Sequence, residues 1–266
     1  MKFTNGYWML RDEIEASYAV EYAKHTVNGN KLEVYLPAKH MSGRGDALNI
    51  ALLTLTLSSP QEGVIKVSAV HHKGMPYKGP FAAVKNENPN EDTEDQLIYK
   101  SGTLKAVIDK APNAYKLAFY EGDTFLTESS FRNLAYMHNR ETGKNYMVEQ
   151  LLLDVGEYVY GLGERFTPFV KNGQIVEMWN EDGGTASEIA YKNIPFYITN
   201  KGYGVLVDNE GDVAYEIGSE KVERVQFSVE SERLDYYFIS GKTPMGTVEK
   251  YTELTGKPAL PPAWSF

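Results

Sequence analysis

Cysteine is absent from the 266 residues of this chain, so neither disulfide bonds nor thiolate metal ligands are available to it. Long apolar runs are absent too, since nothing in the sequence approaches the roughly 18 apolar residues that a membrane helix needs. The first residues lead into no apolar segment, which argues against a secretory signal peptide. We therefore expect a cytoplasmic protein without a membrane partner.

Positive charge is scarce, because 27 Lys and Arg residues stand against 36 Asp and Glu residues and give a formal net charge of -9. Nucleic-acid binding needs Lys and Arg to neutralise phosphates, so this balance argues against a nucleic-acid partner. It does not count against neutral sugars. The adjacent His71 and His72 would point to opposite faces of a strand. With no metal-ligand spacing elsewhere, we predict no metal site and no cofactor.

Aromatic residues, in contrast, make up 12% of the chain, and 19 residues are Tyr. Such side chains suit pleated sheets and also stack on sugar rings, although most single Tyr residues simply belong to a β-rich core. Alternating apolar residues predict strands at 53–57, 65–69, 104–108, 115–120, 204–207, 225–229 and 234–239. The short intervals between these strands favour an all-β sandwich over alternating strands and helices.

Two polar segments predict interruptions between strands. Residues 58–63 (SSPQEG) should end the strand that begins at residue 53. Residues 86–95 (NENPNEDTED) are acidic and rich in Asn, so they should form a solvated loop.

One helix is well signalled near the end of the chain. Thr243 can cap its first amides, and Pro244 suits the first helical position. Gly256 should stop the helix, and Pro258 prevents its continuation. The predicted apolar face of this helix consists of Val248, Tyr251 and Leu254.

A glycine-rich segment, YGLGERF at residues 160–166, is only superficially similar to a nucleotide-binding loop. It lacks the third glycine, and no helical pattern follows it. Two interpretations stay open: a tight turn in which Glu164 and Arg165 form an ion pair, or a segment that contacts substrate directly.

The segment WNEDGGT at residues 179–185 has more specific chemistry. Asp182 is followed by glycine, and Asp-Gly is a favoured hairpin-turn sequence, so a purely structural role would explain this segment. The aromatic Trp179, beside the Asn180 amide and the Asp182 carboxylate, is also what recognition of sugar hydroxyls requires. Both interpretations stay open at this point. Glu181 and Asp182 are adjacent, so they do not resemble the separated carboxylate pair of a glycosidase.

Six motifs occur in an order that resembles the N-terminal portion of glycoside hydrolase family 31, in its bacterial α-xylosidase branch. The resemblance is dense from about residue 145 onward and thins before that, where SPQEG is the clearest shared piece. The motifs are YGLGERF (160–166), WNEDGGT (179–185), AYKNIPFY (190–197), GYGV (202–205), YTELTG (251–256) and PALPPAWSF (258–266).

The resemblance implies a galactose-mutarotase-like β-sandwich, or supersandwich, followed by a catalytic (β/α)₈ barrel that is absent from this chain. In the family, an aspartate nucleophile and an aspartate acid/base both lie on the barrel, so no catalytic residue is expected here and the chain alone should be inactive. By position, Asp182 resembles the residue that reaches from the sandwich into the substrate site. Trp179, Asn180 and Arg165 resemble supports for its loop. The implied substrate is an α-xyloside or a related oligosaccharide.

On this interpretation residues 1–242 form the sandwich domain, and residues 243–266 form a connector helix that leads towards the barrel. The apolar ending WSF favours the front part of a larger enzyme, whose missing barrel would be the main partner. The face meant for the barrel would be exposed, so copies of the chain are expected to associate through it.

Two other functions compete with this interpretation. A stand-alone carbohydrate-binding or structural module would also use the Tyr-rich composition and the Asp182 segment. An aldose mutarotase-type epimerase would need a general acid and a general base from separate elements. The sequence offers no convincing pair of His and Glu for that chemistry.

Overall fold

A computed structural model describes residues 2–6, 9–72, 90–181 and 189–265. Within these residues the chain forms nineteen strands, one α-helix and two short 3₁₀ helices, at Arg44–Ala47 and Ala263–Ser265. The strands and the helix are β1 (Ile14–Tyr18), β2 (Lys24–Asn28), β3 (Lys31–Pro37), β4 (Leu52–Gln61), β5 (Val64–Val70), β6 (Asn90–Asp92), β7 (Gln96–Ser101), β8 (Leu104–Asp109), β9 (Leu117–Glu121), β10 (Thr124–Ser129), β11 (Ala135–Asn139), β12 (Asn145–Leu152), β13 (Val159–Gly161), β14 (Gln174–Met178), β15 (Phe196–Thr199), β16 (Tyr203–Val207), β17 (Val213–Ile217), β18 (Arg224–Val229), β19 (Arg233–Ser240) and α1 (Pro244–Thr255).

The described strands form three antiparallel sheets. The eight-stranded sheet has the order β13-β15-β16-β19-β5-β4-β3-β2, the six-stranded sheet β1-β11-β12-β18-β17-β14, and the five-stranded sheet β10-β9-β8-β7-β6. Phe238 of the eight-stranded sheet stacks on Phe119 of the five-stranded sheet, with ring centroids 4.0 Å apart. Its neighbour Tyr236 meets Phe227 of the six-stranded sheet edge-on at 5.2 Å. The two smaller sheets therefore cover one face of the largest sheet, and the predicted all-β sandwich is confirmed.

Alternation along the strands places apolar side chains in a single core. In β5, Ile65, Val67 and Ala69 are fully buried in the cluster shared by all three sheets. Lys66 points to the opposite face, where its Nζ lies 3.0 Å from the Asp235 carboxylate of β19. Because successive side chains of a strand alternate between faces, the sequence pattern fixes which residues enter the core.

Three boundaries predicted from the sequence are wrong. Strand β4 runs through Pro60 to Gln61, because a register shift after Ser58 places the proline where no ladder amide is needed. Residues 90–92 of the predicted acidic loop form β6 and pair with β7, and residues 86–89 lie outside the described residues. Strand β9 begins at Leu117, two residues after the predicted start.

Helix α1 begins and ends where the sequence predicts. Thr243 is its N-cap and accepts a hydrogen bond from the Gly246 amide, and Gly256 follows with a φ of 102°. The Tyr251 ring stacks on Phe196 with centroids 4.1 Å apart, so the helix packs on the outer face of the eight-stranded sheet. No helix in the described ranges is long and apolar enough to cross a membrane.

One carboxyl group lies between the sheets. Glu149 points inward from β12 and is fully buried. Its Oε1 accepts hydrogen bonds from the Ser129 hydroxyl at 2.6 Å and the Gln150 amide at 3.0 Å, and the Tyr236 hydroxyl lies 3.4 Å from Oε2. Burial raises the pKa of Glu149 to about 7, although these hydrogen bonds act in the opposite direction.

Candidate functional site

Strands β13 and β14 are each the last strand of their sheet, and residues 162–173 connect them. The buried Lys171 holds this connection in place. Its amide donates to the Val159 carbonyl at 2.8 Å, and its Nζ donates to Thr167 Oγ1 at 3.0 Å and to the Pro168 carbonyl at 2.7 Å. Burial lowers the pKa of Lys171, and the positive charge of Arg165 lowers it further.

The glycine-rich segment forms a tight turn, as the first of its two interpretations requires. Leu162 adopts a φ of 68°, and Gly163 a φ of 84°. A Cβ atom at Gly163 would lie 2.2 Å from the Lys192 carbonyl oxygen, so only glycine fits there. The predicted ion pair between Glu164 and Arg165 is wrong, because Glu164 Oε1 lies 2.7 Å from Lys192 Nζ instead.

Asn193 joins the segments around this turn. Its Nδ2 lies 2.6 Å from the Trp179 carbonyl oxygen, 2.7 Å from the Ala190 carbonyl oxygen and 3.1 Å from Asn180 Oδ1. Its Oδ1 accepts a hydrogen bond from the Arg165 guanidinium. We use the name Asn193 clamp for the Asn193 side chain, the groups it contacts at Trp179, Asn180 and Ala190, and Arg165.

Arg165 extends the clamp to both strands. Its Nε donates to the Leu162 carbonyl at 3.2 Å, and its Nη2 donates to the Glu177 carbonyl of β14 at 3.3 Å. Since a planar guanidinium presents several donors in fixed directions, one side chain can hold three segments at once. Arg165 therefore ties the turn after β13 to the end of β14.

The clamp joins the described residues that come before and after Asp182. Asn180 and Ala190 form an isolated bridge, and the Glu181 amide donates to the Ala190 carbonyl at 3.3 Å. We call residues 181–189 the Asp182 loop. Asp182 itself, like residues 183–188, lies outside the described residues.

The structure brings three of the four residues singled out from the sequence, Arg165, Trp179 and Asn180, to the Asn193 clamp. Sequence reasoning missed Asn193, which lies within the AYKNIPFY motif but carried no assigned role. The available signal was its residue type, since an amide side chain offers both donors and an acceptor for bridging loops.

Large aromatic side chains are exposed on the segments that flank the clamp. Trp179 is 56% exposed, Phe166 65%, Tyr191 71% and Phe169 78%. The Phe169 ring contacts Tyr160 of β13, with centroids 5.2 Å apart. Several exposed aromatics on one edge of a domain are typical of an interaction surface.

The structure also brings together a His and a Glu that the sequence did not pair. His71 Nδ1 lies 3.1 Å from Glu232 Oε2, although 161 residues separate them. The His71 ring stacks on Tyr136 at 3.7 Å, and Asn145 Nδ2 donates to Glu232 Oε1 at 2.9 Å. Among the described residues, no group of three or more His, Asp or Glu side chains has the arrangement of a metal site.

Comparison with known proteins identifies related chains. The family model described as the glycosyl hydrolase 31 N-terminal galactose mutarotase-like domain matches residues 54–216. Alpha-xylosidase XylQ of Lactiplantibacillus pentosus is 46% identical over 269 residues, which cover 100% of this chain and 35% of that protein. An alpha-xylosidase of Emericella nidulans is 42% identical over 100% of this chain and 37% of its own length. The chain thus spans about a third of the length of these curated relatives.

Solved structures share the fold at low sequence identity. The cycloalternan-forming enzyme from Listeria monocytogenes, in complex with a pentasaccharide substrate, has a TM-score of 0.77 and 21% identity over 95% of this chain and 24% of that chain. A family 31 alpha-xylosidase from a soil metagenome, complexed with xylose, has a TM-score of 0.67 and 17% identity over 90% of this chain and 36% of its own. Both likenesses support the β-sandwich architecture.

Proposed function

The chain belongs to glycoside hydrolase family 31, as its N-terminal galactose mutarotase-like domain, and we propose that it is the sandwich portion of a retaining α-xylosidase. The 46% identity to a bacterial alpha-xylosidase along the whole chain supports the choice of this branch. In the proposed enzyme a (β/α)₈ barrel carries the nucleophile and the acid/base. The sandwich packs against that barrel and supplies the Asp182 loop.

The observation that carries the proposed role is the Asn193 clamp. A loop that contributes to a substrate site must be held in one position, because an error of about 1 Å weakens hydrogen bonds to the substrate. Asn193 makes three hydrogen bonds to residues that flank the Asp182 loop, at Trp179, Asn180 and Ala190. Arg165 in turn bonds to Asn193 Oδ1 and to the Glu177 carbonyl of β14. The Asp182 carboxylate would then accept hydrogen bonds from sugar hydroxyls.

The exposed aromatics support the second part of the proposal. Trp179 and Tyr191 flank the clamp, and both leave more than half of their surface open. Burying such rings against a neighbouring domain would stabilise the contact by about 25 cal/mol for each Å² removed from water. We assign them to the contact with the barrel and the substrate entrance.

The test uses the protein that carries this chain, with p-nitrophenyl α-D-xylopyranoside as substrate and the α-D-glucopyranoside as comparison. Asp182→Ala should lower kcat/KM for the xyloside by roughly 10- to 100-fold, because a charge-assisted hydrogen bond contributes about 1.5–3 kcal/mol. The isolated 266-residue chain should hydrolyse neither substrate. Unchanged kinetics in Asp182→Ala would remove the loop from the mechanism, and hydrolysis by the isolated chain would overturn the proposed division of labour.

The pair of His71 and Glu232 favours a second candidate, sugar epimerisation of the mutarotase type. An acid and a base from separate elements are what that chemistry needs, and the pair supplies them 3.1 Å apart. Polarimetry with α-D-glucose and α-D-xylose tests it directly. Mutarotation that is accelerated by the chain and lost in Glu232→Gln would favour the epimerase, whereas the spontaneous rate in both proteins would exclude it.

A further inference from the structure

A cleft of about 530 Å³ opens on the outer face of the six-stranded sheet, away from the Asn193 clamp. Its lining includes Gln150 of β12 and Gln226 of β18, together with the turn at residues 130–133 and the segment at residues 220–224. Sites for small organic molecules have volumes of about 300–1,000 Å³, so the cleft is large enough to hold one.

Arg132 lines the cleft in a fixed backbone conformation. Its φ of 59° lies in the left-handed region, which is uncommon for residues other than glycine. The Asn133 amide donates to the Ser130 carbonyl at 3.0 Å and closes this turn. The Arg132 guanidinium lies 5.7 Å from the centroid of the Tyr18 ring and 5.2 Å from that of Phe131. It forms no hydrogen bond or ion pair with any residue that the structure describes, so its N–H donors are available to a ligand.

A second cation, Lys221, also lines the cleft without a carboxylate partner. It is partly buried, and its Nζ lies 3.4 Å from the neutral Gln150 Oε1. Within the stretches of chain that the structure describes, Lys221 forms no ion pair. Burial lowers the pKa of Lys221, and of its charged neighbours Glu220 opposes this effect while Arg224 adds to it. Since a buried charge is costly unless it is paired, an anion in the cleft would stabilise Lys221.

The acidic residues near the cleft are already engaged with other groups. Glu223 Oε1 lies 3.5 Å from Arg224 Nη2, so these two charges offset each other. The Glu220 carboxyl is hydrogen-bonded to Glu216, and such a bond requires a proton on one of the two carboxyl groups. Burial and this contact raise the pKa of Glu220 to about 7, so below this pH the pair keeps a single negative charge. Three lining cations thus stand against two negative charges and leave an excess of positive charge.

This excess and the side chains at the cleft favour an organic carboxylate. A planar guanidinium presents parallel N–H donors to the two oxygens of a carboxylate, which brings one negative charge. A phosphate monoester brings nearly two negative charges and would exceed the cationic excess. Phe131 and Val222, which also line the cleft, are 73% and 84% exposed and offer apolar surface to the rest of the ligand.

We propose that this cleft binds a small organic carboxylate with an apolar body. The carboxylate would lie between the Arg132 guanidinium and the Lys221 ammonium group, and the apolar body would pack against Phe131 and Val222. The cleft uses no residue of the Asn193 clamp or the Asp182 loop. The proposal therefore does not rest on the proposed enzyme function, and either can fail without the other.

The experiment is isothermal titration calorimetry of the 266-residue chain with sodium benzoate at pH 6 and low ionic strength. Benzamide has nearly the same shape as benzoate without the charge, and acetate has the charge without the ring. Phenyl phosphate tests the other class of oxyanion. We expect benzoate to bind at one saturable site, and each of the other three probes to bind at least tenfold more weakly.

Variants assign this binding to the cleft. Arg132→Gly removes the guanidinium while glycine accepts the φ of 59°, so the turn should persist. Lys221→Met removes the second charge and keeps an unbranched side chain. Each variant should weaken benzoate binding at least tenfold. Arg44→Gln removes an exposed positive charge outside the cleft and should leave the affinity unchanged.

Four results would each overturn the proposal. They are the absence of saturable benzoate binding, equal affinity for benzamide, tighter binding of phenyl phosphate than of benzoate, and an equal loss of affinity in Arg44→Gln. Circular dichroism of each variant checks that the fold is retained.

Discussion

The Arg165 guanidinium donates a hydrogen bond to Asn193 Oδ1, and this contact joins two turns that are 28 residues apart in the chain. On its other side, Asn193 Nδ2 reaches the Trp179 carbonyl at 2.6 Å. A single amide side chain thus links the turn after β13 with both ends of the Asp182 loop. The described residues on either side of Asp182 are thus held by contacts between residues that local sequence patterns treat as independent.

Asn193→Ala should release the Asp182 loop. The change removes the Asn193 donor from the Trp179 carbonyl and one of the two donors from the Ala190 carbonyl, which keeps the Glu181 amide. We therefore expect the free energy of unfolding to fall by about 1–3 kcal/mol. Activity of the full protein on xylosides should fall more than this stability loss explains. The matched control is Asn200→Ala, because Asn200 also bridges backbone groups, at Tyr158 and Gly156, but lies outside the clamp. Equal effects of the two variants on kcat/KM would contradict a positioning role for Asn193.

Gly163→Ala tests whether the turn requires its close approach to Lys192. The new Cβ would lie 2.2 Å from the Lys192 carbonyl oxygen. Gly173 has the same φ of 84° but open space around its Cβ position, so Gly173→Ala isolates the conformational cost. We expect about 1 kcal/mol for Gly173→Ala and at least about 3 kcal/mol for Gly163→Ala, measured by urea unfolding. Similar values for both would show that the turn moves away from Lys192 at little cost.

Glu149 should make the stability of the chain depend on pH in a defined direction. Burial raises its pKa from 4.5 to about 7, so the folded chain binds this proton more tightly than the unfolded chain. The contribution of Glu149 to stability is therefore present below pH 4.5 and is lost as the pH rises towards 7. The loss amounts to roughly 3 kcal/mol and stays constant at higher pH.

Glu149→Gln removes this titration while an amide can still accept from Gln150 and contact Ser129. Urea unfolding at pH 5 and pH 8 should show a smaller loss of stability with rising pH in the variant than in the unmodified chain. Glu141→Gln, at an exposed position, serves as the control and should leave the pH dependence unchanged. If Glu149→Gln preserves the full pH dependence, another group is responsible.

The exposed aromatics near the clamp should make copies of the isolated chain associate. Phe166 and Phe169 leave 65% and 78% of their surfaces open, and water favours their burial in a contact between chains. The double variant Phe166→Ser, Phe169→Ser should shift the sedimentation profile towards monomer and reduce apolar-dye binding. Phe131→Ser removes a ring that is 73% exposed elsewhere and should not have this effect. A chain that is already monomeric at micromolar concentration would contradict the expectation.

The sequence predicted the parts of the fold that rest on local periodicity. The alternation of Ile65, Val67 and Ala69 gave the buried face of β5 correctly, and the Thr243 cap gave the start of α1. It failed at Pro60, because a register shift in the sheet removes the usual penalty of proline in a strand. It also failed for β6, whose polar residues become a strand through pairing with β7.

The candidate site was predicted less completely than the fold. The motif order pointed to the region around Arg165, Trp179 and Asn180, and these residues meet in the structure. Nothing local assigned a role to Asn193, and the pairing of Glu164 with Lys192 replaced the expected pair with Arg165. Side-chain partners that lie tens of residues away depend on the path of the whole chain, so spacing within one motif cannot identify them.

The sequence by itself determined the alternating strands, the capped helix and the family. These features depend on local backbone preferences, on the spacing of apolar residues and on the order of motifs, all of which can be read from the sequence. Tertiary structure decided which strands pair, as when β5 comes to lie beside β19, and which distant side chains meet. The Asn193 clamp, the pair of His71 and Glu232 and the cleft beneath Arg132 all arise in this second way. Their contacts form only when the packing of the three sheets brings separate turns together. No single segment of the sequence specifies them.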